Sequence, residues 1–165
     1  MKKLNYLIAL FCISIVLWSC SSPVLYEATD TIPNGSWDKT KLFEYEFTVS
    51  DTSQFYDLIF SLTHGEEYRN ANLWLFIKII APDGKVQDEK IECVISTPDG
   101  HWLGAKQWFS PKRELLIRLK EAIIFPQVGI YKIQLVQGMR YDQLEEIYEV
   151  GLKVQEYKYK DWFSH

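Results

Sequence analysis

The run KLFEYEFTV sends Phe43, Tyr45, Phe47 and Val49 to one side of an extended chain, and Glu44, Glu46 and Thr48 to the other. Only an extended backbone places successive side chains on opposite faces, so this alternation fits a half-buried strand and no helix. The signature recurs. FYDLIFSL supplies a second strand after a turn at residues 51–54, and NLWLFIKII a third. The third is apolar on both faces, which predicts a central strand covered on each side with Trp74 in the core. It ends at Pro82-Asp83-Gly84, a turn signal that returns the chain into KVQDEKIECVIS, and a second Pro-Asp-Gly stands at residues 98–100. GIYKIQLVQ sets Tyr131, Ile133 and Leu135 against Lys132, Gln134 and Val136, and its opening has the form of a tyrosine corner. ELLIRL also alternates, although PKRELLIRLKEAIIF is rich enough in good helix formers to keep one helix over residues 111–123 as a competing reading. Short β-rich runs separated by turn residues predict an all-β chain folded as a β-sandwich, Ig-like or jelly-roll-like.

The first residues, MKKLNYLIALFCISIVLWSC, follow a different logic. Lys2 and Lys3 precede a fourteen-residue apolar stretch, Leu4 to Leu17, which is short for a membrane span of about 20 residues and right for a signal peptide. Leu17-Trp18-Ser19-Cys20 has the form of a lipoprotein cleavage site. Residues 1–19 are therefore read as a signal peptide, Cys20 as the acylated residue that attaches the chain to a lipid bilayer, and residues 20–36 as a tether rich in turn-forming residues. The sandwich domain is expected over residues 37–165. Loss of Lys2 and Lys3 leaves a body more acidic than the whole chain's formal −4, a balance that suits a domain standing off an anionic membrane. The same balance gives no electrostatic footprint for nucleic acid.

Catalytic and metal chemistry leave few traces. Of Cys12, Cys20 and Cys93, only Cys93 remains as a free thiol in the mature body, inside an apolar run where a buried inert thiol is expected. His64, His101 and His165 are too widely spaced for a zinc site, and no cofactor is implied. HWLGAKQW raises a binding possibility, because Trp102 and Trp108 lie in an irregular segment and could either close one end of the sandwich or stack on a sugar. Arg140 is the remaining candidate. It sits where Gly138 and Met139 interrupt an alternating run, before a strand carrying Val150, Leu152 and Val154. Its guanidinium is expected to clamp the crossover of residues 137–147 through a nearby carboxylate, with recognition of an acidic partner as the alternative.

Several stretches together resemble the gliding-motility lipoprotein family typified by GldH, known from the Bacteroidota. They are the signal ending at Cys20, IPNGSW, YDLIFSLTHGEEYRNANLWLFI, GHWLGAKQW, FPQVGIYKIQLVQGMR and LEEIYEVGLKV, and they cover nearly the whole mature chain. His64 stands where an arginine would be expected in that pattern. The resemblance implies a membrane-anchored lipoprotein of the cell envelope, serving the gliding machinery and its associated secretion apparatus through contacts with other envelope proteins. It implies no enzymatic activity. The residues after Cys20 lack the acidic cluster of a surface-export signal, which favours a periplasm-facing body. A lipid-anchored carbohydrate-binding module is the alternative function.

Overall fold

A computed structural model describes residues 22–158. Eleven strands are formed: β1 (Val24–Thr31), β2 (Ser36–Asp38), β3 (Phe43–Val49), β4 (Phe55–Gly65), β5 (Asn72–Ile80), β6 (Val86–Val94), β7 (Ala105–Lys106), β8 (Lys112–Ile124), β9 (Gly129–Gln137), β10 (Gln143–Glu145) and β11 (Ile147–Glu156). One 3-10 turn, Pro33–Gly35, is the only helical element among the described residues. The strands form an antiparallel sheet in the order β1-β11-β4-β8-β7, a second in the order β3-β9-β5-β6, and a small β10-β2 ribbon. The expected β-sandwich is the fold, and residues 112–124 are strand rather than helix.

Alternation explains how the layers close. Phe43, Tyr45, Phe47 and Val49 all point inward from β3. They meet Leu58, Phe60 and Leu62 of β4, Leu73, Leu75 and Ile77 of β5, and Val150, Leu152 and Val154 of β11 in one core. Burying a side chain of this kind is worth roughly 1.5–3 kcal/mol. Tyr131 lies in the same core, and its hydroxyl accepts the Gln127 amide at 3.2 Å, tying the start of β9 to the turn before it.

Three expectations are corrected. The segment read as a tether, residues 20–36, contains β1, which pairs with β11 along its length. The Ile32 amide donates to Tyr148 at 2.7 Å and the Glu156 amide to Pro23 at 2.9 Å. An edge strand solvated on much of its surface needs few apolar residues, so Leu25 and Tyr26 packing on the core suffice and the turn formers around them obscured the pattern. The strand buried on both faces is β4, and β5 has an open outer face. Trp74 accordingly lies on that outer face, half-buried, with the Lys90 ammonium 4.4 Å from its ring centroid. A lysine stem and a cation–π contact cover it where a second layer was expected.

Candidate interaction surface

The strand directions define two ends. At one lie the start of β1, the start of β4 and the end of β8, since Phe55 pairs with Ile124 and Val24 with Gln155. At the other, Lys112 pairs with Gly65 and Ile147 with His64. The second end gathers all three binding candidates, Arg140, Trp102 and Trp108, and treats them differently.

Trp108 belongs to the turn of the β7–β8 hairpin. Gly104 makes that hairpin possible: its φ is +84°, and a Cβ there would come within 2.3 Å of the Glu114 carbonyl oxygen, so only a glycine lets the chain lie this close to β8. Ala105 and Lys106 then pair with Glu114 and Arg113, and the Gln107 amide donates to Lys112 at 2.9 Å. At the tip, Trp108 is 88% and Phe109 103% exposed. Their ring centroids are 6.3 Å apart with planes at 57°. Phe109 has φ +64°, a left-handed conformation that costs a non-glycine residue about 1–2 kcal/mol. Two rings are thus held in water on a strained turn.

Trp102 sits below them as a plug. It bridges to Ser96, and its ring meets His64 edge-on at 5.1 Å and Tyr68 at 6.2 Å. His64 is fully buried on β4 and bonds the Gly65 carbonyl through Nδ1 at 2.9 Å, while Nε2 has no hydrogen-bond partner among the described residues. Burial lowers its pKa, and the Arg113 charge on the facing strand acts in the same direction. The Tyr68 hydroxyl donates to the Asn72 carbonyl at 3.0 Å, and burial pushes its pKa up to about 12. Glu66 accepts Lys106 at 2.9 Å and lies 3.8 Å from Arg113, which holds its carboxyl below the usual range, Lys106 contributing most. A cleft of about 280 Å³ opens beside this group between Tyr68, Arg69 and Asn70 on one side and Tyr141, Leu144 and Glu146 on the other.

Arg140 is exposed, and among the described residues no carboxylate lies within ion-pair range of it, which overturns the expected clamp. Asp142 turns instead towards Lys39. The crossover is held by Gln137, fully buried, whose amide donates to the Tyr141 carbonyl at 3.0 Å and accepts the Met139 amide at 2.8 Å. Met139 packs on the core and its sulfur accepts the Trp74 amide at 3.3 Å. Gln137 was missed. The available signal was its place on the inward face after Tyr131, Ile133 and Leu135, where a polar residue must find buried partners.

Cys93 is fully buried, and burial pushes its thiol up to about 12, far from a reactive thiolate. Among the described residues no group of three His, Cys, Asp or Glu side chains is placed to hold a metal ion. Cys20 and His165 lie outside the described residues.

Residues 24–154 match the family model described as GldH lipoprotein. The chain belongs to the GldH lipoprotein family. Two relatives agree with that assignment. The gliding motility lipoprotein GldH homolog of Christiangramia forsetii is 30% identical over 154 residues, covering 88% of this chain and 93% of that one. The gliding motility lipoprotein GldH of Flavobacterium johnsoniae is 25% identical over 150 residues, covering 87% and 91%. Among solved structures, the Yersinia pseudotuberculosis-derived mitogen aligns over 84% of this chain and 92% of its own at 9% identity. Its TM-score of 0.34 is too low to bear on either fold or function. The GldH match begins at the first residue of β1, so the family's unit includes the strand that was read as tether.

Proposed function

We propose that this GldH-family chain is a non-catalytic component of the gliding-motility and associated secretion machinery, anchored in a membrane through acylated Cys20 with its body facing the periplasm, and that it works by binding other envelope proteins. The names of both relatives support the motility assignment. The observation that carries the binding role is the Trp108–Phe109 tip. Exposed aromatic pairs are costly in water, the strained turn adds to that cost, and Trp is over-represented among residues that dominate binding energy. Arg140, exposed at the same end and without an ion-pair partner among the described residues, offers a guanidinium to an acidic group on whatever the tip engages.

The carbohydrate reading is the weaker one. Sugar platforms lay a flat ring surface along the substrate, whereas the two exposed rings are tilted at 57° and Trp102 is engaged with His64. Crosslinking and affinity capture from intact envelopes tests the proposal with the wild-type chain, Trp108→Ala and Phe109→Gly. The expected result is a defined set of envelope proteins captured by the wild type and reduced at least tenfold by either variant, with fatty-acid labelling at Cys20 unchanged. Undiminished capture would remove the tip from the binding surface, and retention on a glycan array lost in Trp108→Ala would favour the sugar-binding alternative. Cys20→Ala is expected to abolish the fatty-acid label.

A further inference from the structure

The end of the sandwich opposite the aromatic tip carries an apolar ring with no assigned role. Val24, Phe55, Val86, Ile124, Val128 and Ile130 are all between 45% and 62% exposed. Register places them together. Phe55 pairs with Ile124, Ile130 with Thr48 near the end of β3, and Val86 with Ile80 at the end of β5. The same end is tied across the core by Phe125, whose ring lies 4.7 Å from Tyr131, 5.4 Å from Phe47 and 5.6 Å from Tyr56. Pro82 lies against Gly129, so the β5–β6 turn belongs to it too. Isolated exposed apolar residues are ordinary on a protein surface, but six gathered on one end call for something that covers them.

The chain outside the structure says what that is. Only Ser21, Ser22 and Pro23 separate Cys20 from Val24. Even fully extended, such a link spans at most about 14 Å. An acyl group on Cys20 therefore holds this end, and no other, against the bilayer. Acidic groups here would oppose approach to an anionic surface, but two of them are paired with cations. Asp83 accepts Lys85 at 2.8 Å and the Gln127 amide at 2.8 Å, and Glu121 accepts Arg118 at 2.6 Å, whereas Asp51 accepts the amide and hydroxyl of Ser53 and keeps its charge. The overall negative charge suits a body that stands off the membrane, whereas this end is rich in exposed apolar side chains and pairs Asp83 and Glu121 with cations.

We propose that this ring of apolar side chains beds in the headgroup–acyl boundary of the same bilayer that takes the acyl chains of Cys20. The domain then stands on its Val24 end. β8 runs away from the surface for thirteen residues, and the Trp108–Phe109 tip lies about 40 Å out. The inference rests on acylation of Cys20, and its test separates the two.

The chain is well suited to site-specific labelling, because Cys93 is buried and Cys20 is consumed by the lipid. Full-length chain carrying Ile130→Cys, Val128→Cys or Phe109→Cys is purified in its lipidated form, labelled with an environment-sensitive fluorophore and bound to vesicles containing nitroxide phospholipid. Labels at 128 and 130 are expected to shift to the blue and lose at least half their emission to the nitroxide, while the label at 109 keeps its emission. Vesicle-bound chain whose labels at 128 and 130 are unquenched would overturn the bilayer seat while leaving the anchor intact. Equal quenching at all three sites would overturn the upright orientation. Energy transfer between labelled copies at 130, without quenching, would assign the ring to a second copy of the chain. Failure of the wild-type chain to float with vesicles, or equal flotation of Cys20→Ala, would overturn the anchor and the seat with it.

Discussion

At the Val24 end, apolar exposure is spread over six residues from different strands and turns, each about half covered, and none of the six has a positive φ. At the hairpin end Val94, Tyr141 and Leu42 are about half exposed as well, but two adjacent rings stand out as almost wholly exposed, with Phe109 at φ +64°. The first arrangement presents a broad face supported by a well-packed aromatic base. The second presents a point. A broad ring suits a planar, yielding surface such as a bilayer interface, where each residue contributes a little. A point suits a pocket, where one or two large side chains contribute most of the binding energy. One fold therefore offers two kinds of contact at a separation set by the length of β8.

The comparison breaks most readily at the base of the Val24 end. Phe125 is 3% exposed and touches the rings of Phe47, Tyr56 and Tyr131. Phe125→Ala is expected to cost about 3–5 kcal/mol in urea unfolding. A cost below about 1 kcal/mol would mean that the site collapses freely and that the ring above it rests on no common base.

A smaller, pH-dependent effect is expected at the other end. His64 packs against Tyr68 and Trp102, with the Arg113 charge opposing its protonation and Glu146 favouring it. Burial dominates and lowers its pKa below the ordinary value of about 6.5. Below that pH the unfolded chain takes up a proton that the folded chain does not, so stability is full above about pH 6.5 and falls as pH is lowered through the window beneath it. The wild type is expected to lose urea midpoint between pH 7.5 and 5.5, and His64→Gln to lose less. Equal losses would place the titrating group elsewhere.

Legibility in the sequence followed how much of each decision was local. β3, β9 and the Pro82-Asp83-Gly84 turn were readable because alternation and turn chemistry are local properties. β1 was not, since its strand character comes from pairing with β11, more than a hundred residues later. The burial of β4 on both faces was hidden for the same reason. Its outward-facing Asp57 looks like a surface residue until the β8 partner is known, for its carboxylate accepts the Ala122 amide at 3.1 Å and lies 3.4 Å from Arg118. Trp102 and Trp108 could be named as candidates, but which was packed inside and which stood in solvent depended on where the β7–β8 hairpin turned.

The smallest effect decides the role of Arg140. A clamp would require a buried, hydrogen-bonded guanidinium, and losing one partner of such a pair costs about 3–5 kcal/mol. The side chain is instead exposed, and the crossover it was expected to hold is fastened from within by Gln137 and Met139. Arg140→Ala should therefore shift the unfolding free energy by no more than about 0.5 kcal/mol. Gln137→Ala, which strands the Met139 amide and the Tyr141 carbonyl, should cost about 1–3 kcal/mol under the same conditions. If the order were reversed, the crossover would depend on a contact made in solution by Arg140, and that residue would return to the structural role it was first given. If the order holds and Arg140→Ala also weakens envelope-protein capture, its charge belongs to the same binding end as the aromatic tip. Stability that is unchanged while binding is lost is the pattern expected of a residue exposed for a partner's sake.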